Sequence, residues 1–295
     1  MKTLVVITGP TASGKTRAAV EVAKALGCEI ISADSRQMFA DIPIATAAPT
    51  CEERAVVAHH FVGNLPLDAY YSAACFEEDA LSLLSDLFKR SDYAVMCGGS
   101  MLYVDAVTKG IDEMPTISDE VRNRVAELLD MEGPDGLLAR LRLSDPEYYE
   151  VVDRRNTKRV AHALEIIYES GQTYTSFRTG CTKTRNFRIL KFAIDMPREI
   201  LFERISARVS AMIDAGLESE IKNVEPMRGL NSLNTVGVKE MFDCFDGKLT
   251  LEEAKEKIAR NTRVFAKKQL TWLKKDHDVI WCRDASEIMS HIRNI

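Results

Sequence analysis

Residues 9–16 read Gly-Pro-Thr-Ala-Ser-Gly-Lys-Thr and fit the pattern G-x-x-x-x-G-K-[ST]. In this pattern the backbone N–H groups of a glycine loop and the N-terminus of the next helix favour an anion. Lys15 adds a positive charge, and the hydroxyl of Thr16 is a ligand for Mg²⁺. We call residues 9–16 the phosphate loop and predict that all eight bind phosphate groups: Gly9, Pro10, Thr11, Ala12, Ser13, Gly14, Lys15 and Thr16.

The segments on either side of the phosphate loop give the pattern its structural context. Residues 3–8 are apolar and β-branched, which is typical of a buried strand, and residues 17–26 place their apolar side chains on one face of a helix. An ordinary glycine-rich turn between a strand and a helix would leave the Lys15-Thr16 pair unexplained. The context therefore favours a phosphate site.

Two more polar segments follow predicted strands, at 29–32 and 93–97. The first begins at Asp34, and the second contains Ser100 after a pair of glycines. Ligands of parallel α/β sheets bind beyond the carboxyl ends of the strands, so both segments should face the phosphate loop. Asp34 is suited to act as a general base, a Mg²⁺ ligand or a turn residue. Ser100 is suited to cap a helix or to orient a substrate amine.

The predicted helix over residues 201–224 carries two arginines on one face. Arg204 and Arg208 are four residues apart, so their side chains are neighbours on the helix surface. If this face meets the phosphate loop, the pair would neutralise a diphosphate. Otherwise the two arginines would form ordinary surface salt bridges.

Alternating strand and helix patterns predict an α/β fold of the P-loop NTPase-like type, with a mostly parallel sheet and helices on both faces. Further strands are predicted at 188–194 and 279–282. Between about 114 and 180 only helical patterns occur, which predicts an all-helical insertion domain. We therefore expect three segments: the first part of the core (1–113), the helical insertion (114–182), and the completion of the core with basic C-terminal helices (183–295).

Composition places the chain among globular proteins, with 46% hydrophobic and 28% charged residues. No apolar run reaches the roughly 18 residues of a membrane span, and the first residues lead directly into a strand. Seven scattered cysteines form no C-x-x-C pair, and five histidines show no metal-binding spacing. We expect a cytoplasmic protein without membrane attachment, whose cysteines are reduced and buried.

Charge is unevenly distributed along the chain. The net charge of −5 argues against a generic nucleic-acid binder. Basic residues nevertheless cluster at 154–159, 178–191 and 254–275. Each cluster is either a solvated face or part of a localised site for a polyanion.

Taken together, these motifs resemble those of the bacterial tRNA dimethylallyltransferases. The matching segments run from end to end: 9–16, 32–39, 59–61, 97–103, 154–165, 197–220, 236–240 and 262–272. The resemblance implies transfer of the dimethylallyl group of dimethylallyl diphosphate to the exocyclic amine of the adenosine 3′ of a tRNA anticodon. Because one chain contains every element of the proposed site, we expect a monomer without an obligatory protein partner.

The resemblance also implies residue roles. The phosphate loop, although it looks like an ATP site, would hold the prenyl diphosphate, and Lys15, Arg208 and Mg²⁺ on Thr16 would stabilise the leaving pyrophosphate. Asp34 would accept a proton from the adenine amine, and Ser100 would hydrogen-bond the same base, which must be flipped out. The helical insertion and the basic clusters would hold the anticodon stem-loop. The tRNA-contact positions would be Asp34, Ser35, Arg36, Gln37, Ser100, Arg122 and Arg159.

Several positions depart from the family pattern. Residues 45–49 lack a glycine and a lysine, Val238 replaces an aromatic residue, and Ser100 and His162 stand where threonine and arginine are usual. Two other classes of function stay open. A P-loop kinase would need ATP and an arginine-bearing lid. A non-catalytic RNA-binding protein would have no need of a diphosphate site.

Overall fold

The computed structural model describes residues 1–294. Six strands form one sheet: β1 Thr3–Thr8, β2 Ile30–Ser32, β3 His59–His60, β4 Tyr93–Cys97, β5 Arg188–Ile194 and β6 Val279–Cys282. The five strands expected from apolar patterns are confirmed. The two-residue strand β3 was not predicted, because it is too short to show any alternation of apolar and polar residues.

Helices occupy most of the remaining chain. Their bounds are α1 Lys15–Leu26, α2 Pro43–Thr46, α3 Cys51–Val56, α4 Ala73–Arg90, α5 Met101–Thr108, α6 Asp119–Ser144, α7 Pro146–Val151, α8 Thr157–Ser170, α9 Tyr174–Phe177, α10 Arg198–Asp214, α11 Leu217–Asn223, α12 Val238–Phe245, α13 Leu251–Leu273 and α14 Ala285–Arg293. The single helix expected over residues 201–224 is wrong. Gly216, at φ 97°, adopts a left-handed conformation between α10 and α11.

Every strand pair in the sheet is parallel, and the strand order is β3-β2-β4-β1-β5-β6. The mostly parallel α/β fold is therefore confirmed. All carboxyl ends lie at one edge, and β4 lies between β1 and β2. The segments that follow these three strands are therefore brought together at that edge.

Alternating residues of β1 enter two cores on opposite faces of the sheet. Val5 and Ile7 pack in a core with α1 and α14, while Leu4 and Val6 pack in a core with α4 and α5. Burial on both faces explains why β1 is a continuous apolar run rather than an alternating one. A third core joins α10, α11, α12 and α13 to the segment around α2.

The chain divides into two compact units. One comprises Met1–Thr108 with the segment from Arg185 onward and contains the whole sheet; the other is Lys109–Thr184. The second unit is built around α6 and α8. Helix α6 is interrupted at Gly133, which has φ 69° and is followed by Pro134. The buried carboxylate of Asp145 accepts hydrogen bonds from the backbone N–H of Tyr148 and of Thr175.

None of the helices within residues 1–294 is both long and apolar enough to cross a membrane. All seven cysteines are free thiols. Cys51 and Cys181 are exposed, so the expectation that the cysteines are buried is wrong for these two.

Candidate active site

The phosphate loop connects β1 to α1 through an unusual backbone path. Gly9 and Gly14 have φ values of 147° and 90°. Ala12 has φ 65°, a left-handed backbone conformation that residues other than glycine rarely adopt. Such backbone conformations concentrate at ligand-binding sites. The loop begins at the carboxyl end of β1 and runs directly into the N-terminus of α1, where unpaired N–H groups favour an anion.

Lys15 extends from the first turn of α1 into a cavity. Its ammonium lies 3.4 Å from the carbonyl oxygen of Pro10. Burial lowers the pKa of Lys15 below its usual value; Arg208 lowers it further, while Cys97 and Asp34 act in the opposite direction. The cavity therefore contains a cation that lacks much of its hydration, and an incoming anion would stabilise its charged form.

Another cation of the cavity comes from α10. Arg208 lines the same cavity as Lys15, and burial lowers its pKa while the nearby Asp34 opposes that shift. Arg204 lies one helical turn earlier and is exposed, with its guanidinium next to Gly14 of the phosphate loop. The two arginines thus approach the phosphate loop at different points, and only Arg208 lines the cavity.

Asp34 lies just beyond the carboxyl end of β2, where its side chain makes a local turn. Oδ1 accepts hydrogen bonds from the backbone N–H of Arg36 (3.0 Å) and of Gln37 (3.4 Å). Within residues 1–294, Oδ2 has no hydrogen-bond partner, and the residue lines the cavity with Lys15. One carboxylate oxygen is therefore oriented by the backbone, which leaves the other available to accept a proton.

Ser100 follows the glycine pair after β4 and contacts the segment that carries Asp34. Its Oγ accepts the backbone N–H of Ser35 at 2.8 Å and donates to the hydroxyl of Ser35 at 3.1 Å. The hydroxyl of Ser100 thus joins the segments that follow β2 and β4. One lone pair of the oxygen is left for a further hydrogen bond.

The side chains of Arg36 and Gln37 are engaged by the protein itself. Arg36 donates to the carbonyl oxygens of Asn231 and Ser232, and Gln37 donates to that of Ala47. Both residues also line the cavity. Their hydrogen bonds hold the segment after β2 in place and leave them at the edge of the space next to Asp34.

The cavity has a volume of about 400 Å³ and lies wholly within the unit that contains the sheet. Nine of the candidate residues of that unit line it: Thr11, Lys15, Thr16, Asp34, Ser35, Arg36, Gln37, Ser100 and Arg208. The other candidate residues of the phosphate loop, and Arg204, are not part of the lining. Apolar side chains line it as well: Ile205, Val209, Met212, Val236 and Phe265. The lining suits a ligand with an anionic group and an apolar portion.

The donor atoms near Thr16 indicate how a divalent cation would be held. Within residues 1–294 no group of three or more histidine, cysteine, aspartate or glutamate side chains could bind a metal. Thr16 lines the cavity together with Cys97, whose pKa is raised to about 11, mainly by burial. A hydroxyl without a carboxylate cage fits Mg²⁺ that is bound mostly through phosphate oxygens of a ligand.

Arg122 and Arg159 lie in the other unit. The Arg122 side chain donates to the carbonyl oxygen of Ile117 at 3.4 Å. Arg159 is exposed in the first turn of α8, a helix whose N-terminus is capped by Asn156. Arg159 is therefore available for a contact with an external ligand.

Several polar residues that line the cavity were not singled out from the sequence, among them Gln269 and His59. Gln269 is a buried residue of α13 and lies within the basic cluster at 254–275. His59 lines the cavity from β3, and burial lowers its pKa while its Nδ1 hydrogen-bonds the carbonyl oxygen of Val57. Both residues lie in segments that match the family motifs, at 59–61 and 262–272, and this match is the signal that could have identified them.

A parallel α/β fold with this loop between β1 and α1, and with a carboxylate at the end of β2, defines a protein of the P-loop type. The family model described as IPP transferase matches residues 37–276, and the chain belongs to this family. A relative from Phocaeicola vulgatus, named tRNA dimethylallyltransferase 1, is 50% identical over 99% of this chain and 98% of its own length. The tRNA dimethylallyltransferase 2 of Parabacteroides distasonis is 49% identical over the same shares.

A solved structure agrees with these relatives. The tRNA isopentenylpyrophosphate transferase of Bacillus halodurans is 32% identical, with a TM-score of 0.72 over 100% of this chain and 95% of the other. The family is one of prenyltransferases, and the match favours that class over the P-loop kinase and the non-catalytic RNA-binding protein.

We expect Gly98→Ala to destabilise the site. A Cβ placed on Gly98 would lie 2.1 Å from the carbonyl oxygen of Ala33, so the ends of β2 and β4 would have to separate. Overpacking of this kind costs about 1–3 kcal/mol. Urea unfolding should show this loss relative to Gly229→Ala, whose added methyl group would meet nothing within 4 Å. Equal stability of the two variants would show that the strand ends tolerate separation.

Proposed function

We propose that this chain transfers a dimethylallyl group from dimethylallyl diphosphate to the exocyclic amine of the adenosine 3′ of a tRNA anticodon, forming isopentenyladenosine. The observation that carries the proposal is a single cavity lined by Lys15, Arg208 and Asp34 together with apolar side chains. The cations suit a diphosphate, the apolar wall suits a five-carbon chain, and the carboxylate suits a proton acceptor. The names of relatives about half identical to this chain support the same activity.

In this proposal the phosphate loop binds the diphosphate of the donor. The amine nitrogen forms a bond to C1 of the dimethylallyl group as the bond from C1 to the diphosphate oxygen breaks. Negative charge then accumulates on the departing pyrophosphate. Lys15 and Arg208, already fixed in a partly dehydrated cavity, stabilise this charge without reorganising.

Mg²⁺ fits this site if it arrives with the donor. The hydroxyl of Thr16 and oxygens of the diphosphate would hold it, as the donor atoms present allow. When bound, it would act as a Lewis acid that neutralises charge on the leaving group.

The acceptor nucleotide occupies the space next to Asp34. Its amine loses a proton to Oδ2, while Oδ1 stays bound to the backbone of residues 36 and 37. Ser100 and the segment 34–37 contact the base, which must leave its stack to reach a cavity of this kind. Reading of unstacked bases is the usual way in which proteins recognise RNA loops.

The unit formed by residues 109–184 supplies the rest of the tRNA contact. Arg122 and Arg159 are assigned to the anticodon stem-loop, and the exposure of Arg159 supports this role. We propose that the enzyme acts in the cytoplasm, and that it acts as a monomer because one chain carries all the proposed groups.

The proposal is tested first by a transfer assay. Radiolabelled dimethylallyl diphosphate, Mg²⁺ and a bulk tRNA pool are mixed with the protein, and ATP is left out. We expect label in the tRNA, recovered as isopentenyladenosine after digestion. ATP turnover with small acceptors, together with unlabelled tRNA, would replace the proposal by the kinase alternative.

Asp34→Asn should lower kcat by about 10²–10⁴-fold, the contribution typical of a general base. The asparagine keeps an oxygen for the N–H groups of residues 36 and 37, so the turn should persist. Binding of tRNA should stay within about twofold of wild type in a filter-binding assay. Asp41→Asn, at an exposed position of the same segment, is the matched control and should retain full turnover. Unchanged kcat in Asp34→Asn would remove Asp34 from proton transfer.

Arg159→Glu should weaken tRNA binding and make it less sensitive to salt. A glutamate in the first turn of α8 is favourable for the helix, so folding should be unaffected. The slope of log K against log salt should fall in magnitude by about one for each lost phosphate contact. Arg17→Glu, an equal change of charge at an exposed position of α1, should leave the slope unchanged. Identical slopes in the two variants would show that Arg159 faces only solvent.

A further inference from the structure

The carboxamide of Gln269 joins two segments of the site. Its Oε1 accepts the backbone N–H of Thr11 in the phosphate loop at 2.8 Å, and its Nε2 donates to the carbonyl oxygen of Gly99 at 3.0 Å. The residue is 2% exposed and projects from α13. A single side chain thus connects the segments that follow β1 and β4.

The hydrogen bond to Thr11 fixes one peptide plane of the phosphate loop. The N–H of Thr11 and the carbonyl of Pro10 belong to the same trans peptide, so they point in opposite directions. While Gln269 holds the N–H, the carbonyl oxygen faces the Lys15 ammonium and accepts the N–H of Ser13. The orientation of this peptide therefore sets where Lys15 rests.

Only a carboxamide satisfies both partners of Gln269. A glutamate would accept from Thr11 but could not donate to Gly99, and it would add negative charge near Lys15, whose Cε also approaches Gly99. A Cβ on Gly99 would lie 2.4 Å from Nε2, so the glycine makes room for this side chain.

We infer that Gln269 is a positioning residue for the diphosphate. It fixes the Pro10–Thr11 peptide, and through this peptide it places Lys15 for the anion. The inference rests on the proposed function, in which the phosphate loop holds a prenyl diphosphate. It assigns part of the diphosphate affinity to a side chain on α13 that acts through the phosphate loop.

The test compares Gln269→Met with Gln269→Glu by calorimetric titration of inorganic pyrophosphate with Mg²⁺, in the absence of tRNA. Methionine keeps the length of the side chain but loses both hydrogen bonds, so pyrophosphate should bind about tenfold more weakly. Glutamate should weaken binding further because of its charge. The KM for dimethylallyl diphosphate should rise in both variants, while the KM for tRNA stays unchanged.

Asn261→Leu is the matched control. Asn261 is another carboxamide of α13, and its Nδ2 donates to Glu240 at 2.7 Å, away from the phosphate loop. This variant should lose thermal stability yet bind pyrophosphate as the wild type does. The inference is overturned if Gln269→Met binds pyrophosphate within twofold of wild type, or if Asn261→Leu weakens binding equally. A wild-type protein that binds no pyrophosphate would overturn the proposed function and this inference with it.

Discussion

The close approach of two strand ends is the constraint on which the site depends. Ala33, after β2, donates its N–H to the carbonyl of Cys97 at the end of β4 (2.8 Å), and its own carbonyl accepts the N–H of Ser100 (3.1 Å). A side chain at Gly98 would collide with this backbone. Because β4 also pairs with β1, the same contact brings Asp34 to the edge of the sheet at which the phosphate loop begins. Main-chain geometry thus places the carboxylate of Asp34 at the same edge of the sheet as the ammonium of Lys15.

Helices far along the chain then hold the segment after β2. Arg36 donates to carbonyl oxygens at residues 231–232, and the carboxylate of Glu220 accepts the N–H groups of Ile44 and Ala45 at 2.8 Å each. Burial raises the pKa of Glu220, while those two N–H groups lower it. These contacts attach the Asp34 segment to the core formed by α10–α13. Helix α10 of the same core carries Arg208. One packed layer of helices therefore positions both the Asp34 segment and Arg208.

The local pattern of apolar and polar residues was sufficient to predict five strands and the polar residues that follow three of them. The apolar runs of β1, β2 and β4 each end at a polar segment, so Lys15, Asp34 and Ser100 could be placed at one edge from the sequence. Among the features that were not predicted are the break between α10 and α11 and the position of Gln269. The break between α10 and α11 occurs at a single glycine, Gly216. It was not predicted because an isolated glycine is tolerated within a helix. Gln269 could not be found from its neighbours, because its partners Thr11 and Gly99 lie more than 150 residues away in the chain.

Two of the positions that depart from the pattern of the resemblance, Ala45 and Val238, are packing positions. Val238, where the resemblance leads us to expect an aromatic residue, is fully buried in the core of α10–α13, and the adjacent Gly237 has φ 97° and approaches the carbonyl of Ala45. Ala45 and Val236 line the cavity. Ala45 and Val238 therefore lie in segments that approach each other beside the cavity. Lys15, Asp34 and Arg208 come from other elements, whereas Lys239, next to Val238 in α12, also lines the cavity.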